Sequence, residues 1–127
     1  MKREYCQSRP YVTKDGSVIR ELLHPDLGVE AAMSLAEATV PPGAATLLHI
    51  HNASEELYHV TRGTGRMSLA GETFEVAPGD SVLIRPGTPH KIENTGEGPL
   101  VILCCCCPAY AHEDTLVLEG GSEGRDS

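Results

Sequence analysis

The sequence predicts an all-β fold, a sandwich or barrel of short strands. Three observations predict it. Short runs of β-branched and aliphatic residues recur along the chain. Gly, Pro, Asn and Asp turn residues separate them at close, even spacing. No segment between them carries a convincing helical pattern. A single domain is expected over residues 1–119, with residues 120–127 as a disordered tail of Gly, Ser and charge.

Taken in order, residues 11–13 read as a short strand entering a turn at Asp15-Gly16. Residues 17–23 form a strand that His24-Pro25-Asp26-Leu27-Gly28 breaks. Residues 31–40 read two ways. Their Ala, Met, Leu and Glu content favours helix, whereas their place among short strands favours strand, and the strand reading is adopted. Residues 45–51 and 55–61 read as two strands of a hairpin, joined at Asn52-Ala53-Ser54 and closed by Gly63. A second hairpin links 65–69 to 73–76. Pro78-Gly79-Asp80 is a turn, 81–85 a strand and 86–89 a turn. The last strands are 90–93 and 100–106, the latter ended by Pro108.

The bulk composition narrows the partners. The 127 residues include 18 acids and 10 bases, for a formal charge of -8, with no basic run. Nucleic acid and anionic membrane both need clustered Lys and Arg, so neither is an expected partner. The N-terminus lacks the apolar core of a secretory signal. No segment approaches the ~20 apolar residues of a spanning helix. A cytoplasmic location follows by default, with secretion left open.

The first hairpin carries the chemistry. His49 and His51 are two apart, so they share one face of a strand, and the hairpin returns Glu56 beside them. Two imidazoles and a carboxylate meeting in one pocket make a metal-site arrangement.

Two spaced patterns extend this. One is Gly43-x5-His49-x-His51-x4-Glu56-x6-Gly63, and the other is Gly79-x5-Arg85-x-Gly87-x2-His90-x3-Asn94. Together, over residues 43–63 and 79–94, they resemble the two signature motifs of the cupin superfamily. Arg85 stands where the second motif usually has Pro, and Pro86 follows it, a departure in a turn. The resemblance implies a double-stranded β-helix, or jelly-roll, barrel. It implies one divalent transition metal per chain (Fe, Cu, Mn, Ni or Zn) held by His49, His51, Glu56 and His90. It also implies turn roles for Asn94 and the glycines, and a homodimer formed through sheet edges. Glu56 either coordinates or turns away to leave a three-His site.

The remaining polar residues receive other expectations. Tyr58 shares the pocket face of Glu56, as a substrate hydrogen-bond donor or a packing residue. His59, Lys91 and Glu93 face away from the metal, and His24 and His112 are non-ligands. Glu37 serves proton transfer only if its strand takes the required register. Arg85 is a solvated residue or an anion holder at the rim. Cys104 and Cys106 share one strand face, and Cys105 and Cys107 the other. Four adjacent cysteines are no disulfide framework, and a buried strand using Cys as a small hydrophobe accounts for them.

Three functions compete. The leading one is an oxygen- or peroxide-dependent oxidoreductase on a small-molecule or carbohydrate substrate. It is motivated by an unsaturated ligand set with no legible acid–base pair beside it. The second is a non-redox isomerase or lyase on a sugar or sugar acid, using the metal as a Lewis acid. The third is a small-molecule binding module without turnover.

Overall fold

The computed structural model describes residues 1–119; the expected tail at 120–127 lies outside the described residues. Eleven strands follow one another: β1 (Tyr11–Val12), β2 (Val18–Leu23), β3 (Ser34–Val40), β4 (His49–His51), β5 (Glu55–Arg62), β6 (Gly65–Leu69), β7 (Glu72–Val76), β8 (Ser81–Ile84), β9 (His90–Asn94), β10 (Leu100–Cys107) and β11 (Thr115–Val117). They form a six-stranded sheet, β1-β2-β3-β10-β5-β8, and a five-stranded sheet, β11-β4-β9-β6-β7. All pairings are antiparallel. This is the jelly-roll barrel expected of the two motifs. The only helical segments among the described residues are three short 3₁₀ turns.

Strand alternation places the core. In β3 and β10 every second residue is buried, from Ser34 to Val40 and from Leu100 to Cys106. Val40, Val60, Met67, Ile84, Ile92, Leu100 and Ile102 fill the space between the sheets. Of the expected strand at 31–40, Ser34–Val40 forms, where β-sheet pairing on both sides claims it, with β2 and with β10. That pairing overrides its helix-favouring composition.

One turn shows why its glycine is required. Gly63 joins β5 to β6 at φ +83°, and a Cβ there would stand 2.5 Å from Pro99 O and 2.9 Å from Leu100 Cα. Asn94 fastens the neighbouring turn. Its amide donates to Val40 O and Gly98 O, both at 2.8 Å, and its Oδ1 accepts from the Gly96 amide at 2.9 Å.

The expected hairpin at residues 45–61 does not form. β4 lies in the five-stranded sheet and β5 in the six-stranded sheet, so the chain crosses between layers at 52–54. Asp114 captures the amides that a hairpin would use. Its carbonyl accepts from Asn52 at 2.9 Å, and its carboxylate accepts from Ala53 at 2.8 Å and Ser54 at 3.1 Å. Regular strand also starts later than expected, at His49. Leu47 donates to Asp15 O at 2.7 Å and Leu48 to the Glu119 carboxylate at 2.9 Å, away from the ladder. No helix of the described residues is long and apolar enough to cross a membrane.

Candidate metal centre

β4 presents His49 and His51 inward, and β9 presents His90 directly opposite His49. Glu56 enters from β5 in the facing sheet. All four residues are buried, at 5% exposure or less. The three imidazoles offer nitrogens within 4.8 Å of one another. Glu56 Oε1 lies 3.1 Å from His51 Nε2 and 3.5 Å from His90 Nε2. The sheet crossover thus does what a hairpin was expected to do, by placing the carboxylate across the cavity from the rings.

The outer nitrogens fix the tautomers. His49 Nδ1 stands 2.7 Å from Leu47 O and His90 Nδ1 stands 2.9 Å from Thr88 O. A carbonyl only accepts, so both Nδ1 atoms carry the proton. His51 Nδ1 lies 3.0 Å from Thr115 Oγ1, whose own hydrogen goes to Ala111 O at 3.0 Å. Thr115 therefore accepts, and His51 is also protonated at Nδ1. All three Nε2 lone pairs then point at one volume, the arrangement of imidazoles that ligate a metal. The turn after β8 supports it, because the Gly87 amide donates to His51 O at 2.7 Å.

The residues fit a divalent transition ion. Glu56 Oε1 and His90 Nε2 are buried atoms without a hydrogen-bond partner. Acceptor lone pairs facing each other at such distances repel unless a cation lies between them. Donors bound at about 2.1 Å occupy adjacent positions about 3.0 to 3.5 Å apart, which matches the separations of Glu56 Oε1 from His51 and His90. Burial pushes the Glu56 carboxyl up; where His51 and His90 take protons at Nε2 in place of an ion, their hydrogen bonds and charge outweigh burial and hold the group at about 2. Burial, above all, holds His49 below its ordinary range. Both directions favour the ligating forms, carboxylate and neutral imidazole.

The other candidates fall as follows. Tyr58 is buried and lines the cavity, with its ring edge-on to His90 at 5.9 Å between centroids. Burial, then Glu56, pushes its hydroxyl well up, so it stays protonated. Cys104 and Cys106 line the same cavity, and Cys106 donates to Glu56 Oε2 at 3.4 Å. Burial, then Glu56, raises both thiols, so they are packing thiols rather than thiolates. His59 is exposed and bonds Ser81 Oγ at 2.8 Å. His24 and His112 sit in the outer loops and contact Tyr110. Arg85 is exposed and pairs with Glu55 at 3.3 Å. Glu37 does not reach the site. Its β3 register turns it to the outer face, where it accepts from Tyr5 at 2.5 Å.

Two carboxylates escaped the sequence reading. Asp15, at the tip of the β1–β2 turn, is buried. Its Oδ1 accepts from Ser17 N and Oγ, at 2.9 and 2.7 Å. Its Oδ2 stands 3.5 Å from His49 Nε2. Glu21, on β2, accepts from Tyr11 at Oε2 across 3.0 Å, while its Oε1 is buried and unpartnered. Burial raises the Glu21 carboxyl. Both line the cavity, which has a volume of about 40 Å³, room for roughly three waters. Tyr11, Glu21 and Tyr110 also line an outer vestibule of about 570 Å³. The premise that no acid–base pair stands beside the ligands is therefore corrected. Asp-Gly signals a turn, and nothing local signals that the turn docks on His49.

Comparison with known proteins agrees with this geometry. The family model described as Cupin domain matches residues 36–106. An uncharacterized protein of Methanocaldococcus jannaschii is 57% identical over 94% of this chain and 95% of its own length. A mannose-1-phosphate guanylyltransferase of Klebsiella pneumoniae is 31% identical over 68% of this chain, but that match spans only 18% of the enzyme. The crystal structure of a predicted oxalate decarboxylase from Thermotoga maritima superposes with a TM-score of 0.74 at 25% identity, covering 85% of this chain and 99% of that one.

Proposed function

Because this chain belongs to the cupin family, we propose that it is a metal-dependent enzyme of acid–base chemistry, an isomerase or lyase of a small oxygenated substrate. One observation carries the reading: two carboxylates outside the four-ligand set line the metal cavity, Asp15 with Oδ2 at 3.5 Å from His49 Nε2 and Glu21 with Oε1 buried and without a hydrogen-bond partner. A divalent ion held by His49, His51, His90 and Glu56 supplies a Lewis acid with positions open to a substrate oxygen.

The chain's own residues do the rest. Asp15 is anchored through Oδ1 by Ser17, which leaves Oδ2 aimed inward beside His49. In that place it takes a proton from a substrate carbon and returns it to the neighbouring one, with no net redox change. Glu21, raised by burial, handles the proton on the vestibule side, where Tyr11 fixes its orientation. Tyr58 supplies a protonated hydroxyl and an apolar wall. The small volume, about 40 Å³, limits the water that shares the site with a substrate.

The test is deuterium incorporation. Zinc-loaded protein in D2O, incubated with small hydroxycarbonyl compounds, exchanges substrate C–H protons seen by NMR, and Asp15→Asn abolishes exchange. Retained exchange in that variant removes Asp15 from the role. A second reading, the oxidoreductase, is favoured by the donor set, since three neutral imidazoles and a carboxylate suit iron or copper and leave positions open. Oxygen or peroxide consumption by iron- or copper-loaded protein, with glycans among the substrates, supports it over the first. Tight binding without turnover in either assay leaves a binding module.

A further inference from the structure

We infer that the cavity selects a small, neutral, hydroxyl-bearing substrate and rejects small dianions such as oxalate. This rests on the reading of the cavity as a metal-dependent active site. Among the described residues, no lysine or arginine lines the inner cavity or the vestibule. The inner cavity contains three carboxylates, Asp15, Glu21 and Glu56, and the vestibule adds Asp26 and Glu113.

The basic residues adjacent in sequence are committed elsewhere. Lys14, beside Asp15, donates its ammonium to His112 O at 2.7 Å and Thr115 O at 3.0 Å. Arg20, beside Glu21, turns to the outer face, where it donates to Ser8 O at 2.6 Å and lies over the Tyr5 ring at 4.9 Å. Neither reaches a ligand in the cavity.

The charge balance decides the class. The walls hold carboxylates at Asp15, Glu21 and Glu56 and neither an ammonium nor a guanidinium. A dianion enters this buried volume with no countercharge in its walls, and uncompensated buried charge is strongly disfavoured. The chain's overall charge of -8 opposes it further. A neutral hydroxyl carries no such penalty. It also satisfies what the walls lack, because Glu21 Oε1 is a buried acceptor without a donor, and an unmet buried acceptor is costly until a donor arrives. Polyols and hydroxycarbonyl compounds supply that donor and a second oxygen for the metal. The oxalate chemistry in the printed name of the Thermotoga neighbour is therefore not expected to transfer to this cavity.

Isothermal titration calorimetry of the metal-loaded protein at neutral pH tests this, with dihydroxyacetone and oxalate as the two probes. Dihydroxyacetone binds at least about tenfold more tightly than oxalate. Glu21→Leu weakens it about tenfold, the value of one hydrogen bond to a charged acceptor, and leaves oxalate no weaker. Oxalate binding as tightly or more tightly, no binding of dihydroxyacetone, or unchanged dihydroxyacetone affinity in folded Glu21→Leu overturns the inference. Should that variant not fold, the two probes on the wild-type protein decide alone. Binding is read without turnover. A neutral preference without deuterium exchange therefore sinks the acid–base reading and leaves the substrate class standing; oxalate preference with exchange intact does the reverse.

Discussion

Replacing Thr115 with valine isolates one hydrogen bond of the ligand set. His49 and His90 are held at Nδ1 by main-chain carbonyls, of Leu47 and Thr88, which no side-chain substitution deletes. His51 alone rests on a side chain, Thr115 Oγ1 at 3.0 Å. Valine keeps the shape and the strand preference of β11 but removes the acceptor. The His51 N–H is then buried without a partner, since both residues are 5% exposed. An orphaned buried donor costs about 1–3 kcal/mol. The ring also loses the contact that sets its tautomer, and such outer partners are worth roughly 10- to 100-fold in metal affinity. Both routes converge on a loss of about 1.4–2.7 kcal/mol in binding. Competition with a chelator of known affinity measures it. Thr115→Ser, which retains the acceptor, should restore affinity to within about threefold of wild type. If Thr115→Val binds metal as tightly as wild type, or the serine variant is as weak as the valine one, the tautomer argument is wrong.

Four further outcomes are expected. Chelation should lower the thermal midpoint by roughly 10 °C, because a ligand at 100 times its Kd contributes about 2.7 kcal/mol; differential scanning fluorimetry with and without chelator reads this, and an unchanged midpoint counts against a bound ion. Glu21→Gln should stabilise the protein at neutral pH. Burial raises the folded-state pKa of Glu21, so its contribution is full below the unfolded value near 4.5 and is lost as pH rises through the folded value. Urea melts across the acid-to-neutral range should show the advantage of the variant shrinking as pH falls, and a growing advantage in acid contradicts the sign. Gly63→Ala should cost about 2–4 kcal/mol in urea unfolding, from positive φ together with the clash on Pro99. The expected homodimer is proposed to use the outer face at the β5–β8 edge, where Leu57 pairs with Leu83 and both are over 40% exposed; Leu57→Lys should then halve the mass seen by light scattering, and a monomeric wild type refutes it.

Much of the site was legible because its signals are local. Period-two spacing sent His49 and His51 to one face, and β4 has them both buried with Ile50 between them half-exposed. Alternation likewise split the cysteines correctly, Cys104 and Cys106 inward and Cys105 and Cys107 outward. Gly63 was legible as a turn residue because only glycine takes its positive φ freely, and Asn94 because its side chain accepts from the nearby Gly96 amide. Where the sequence misled, a partner distant in the chain decided. The amides of Ala53 and Ser54 turn to Asp114, so a predicted hairpin became a crossover. Glu37, whose role was conditional on register, follows the one that β10 and β2 impose on β3, which faces it outward.

The cupin resemblance implied the jelly roll and added His90; the sequence by itself determined the all-β class and an inward-facing pair at His49 and His51, with Glu56 close by in the chain. These depend on spacing and on turn chemistry, which act over a few residues. Only the tertiary structure decided what surrounds those donors. Asp15 reaches His49 because the β1–β2 turn docks on the strand entry through Leu47, and Glu21 becomes a cavity carboxylate because β2 lies on the β3 side of the barrel. Such contacts join residues far apart in the chain, and no local pattern encodes which surface of one element will meet another. The metal cradle is therefore readable from order and spacing, and the chemistry around it from packing.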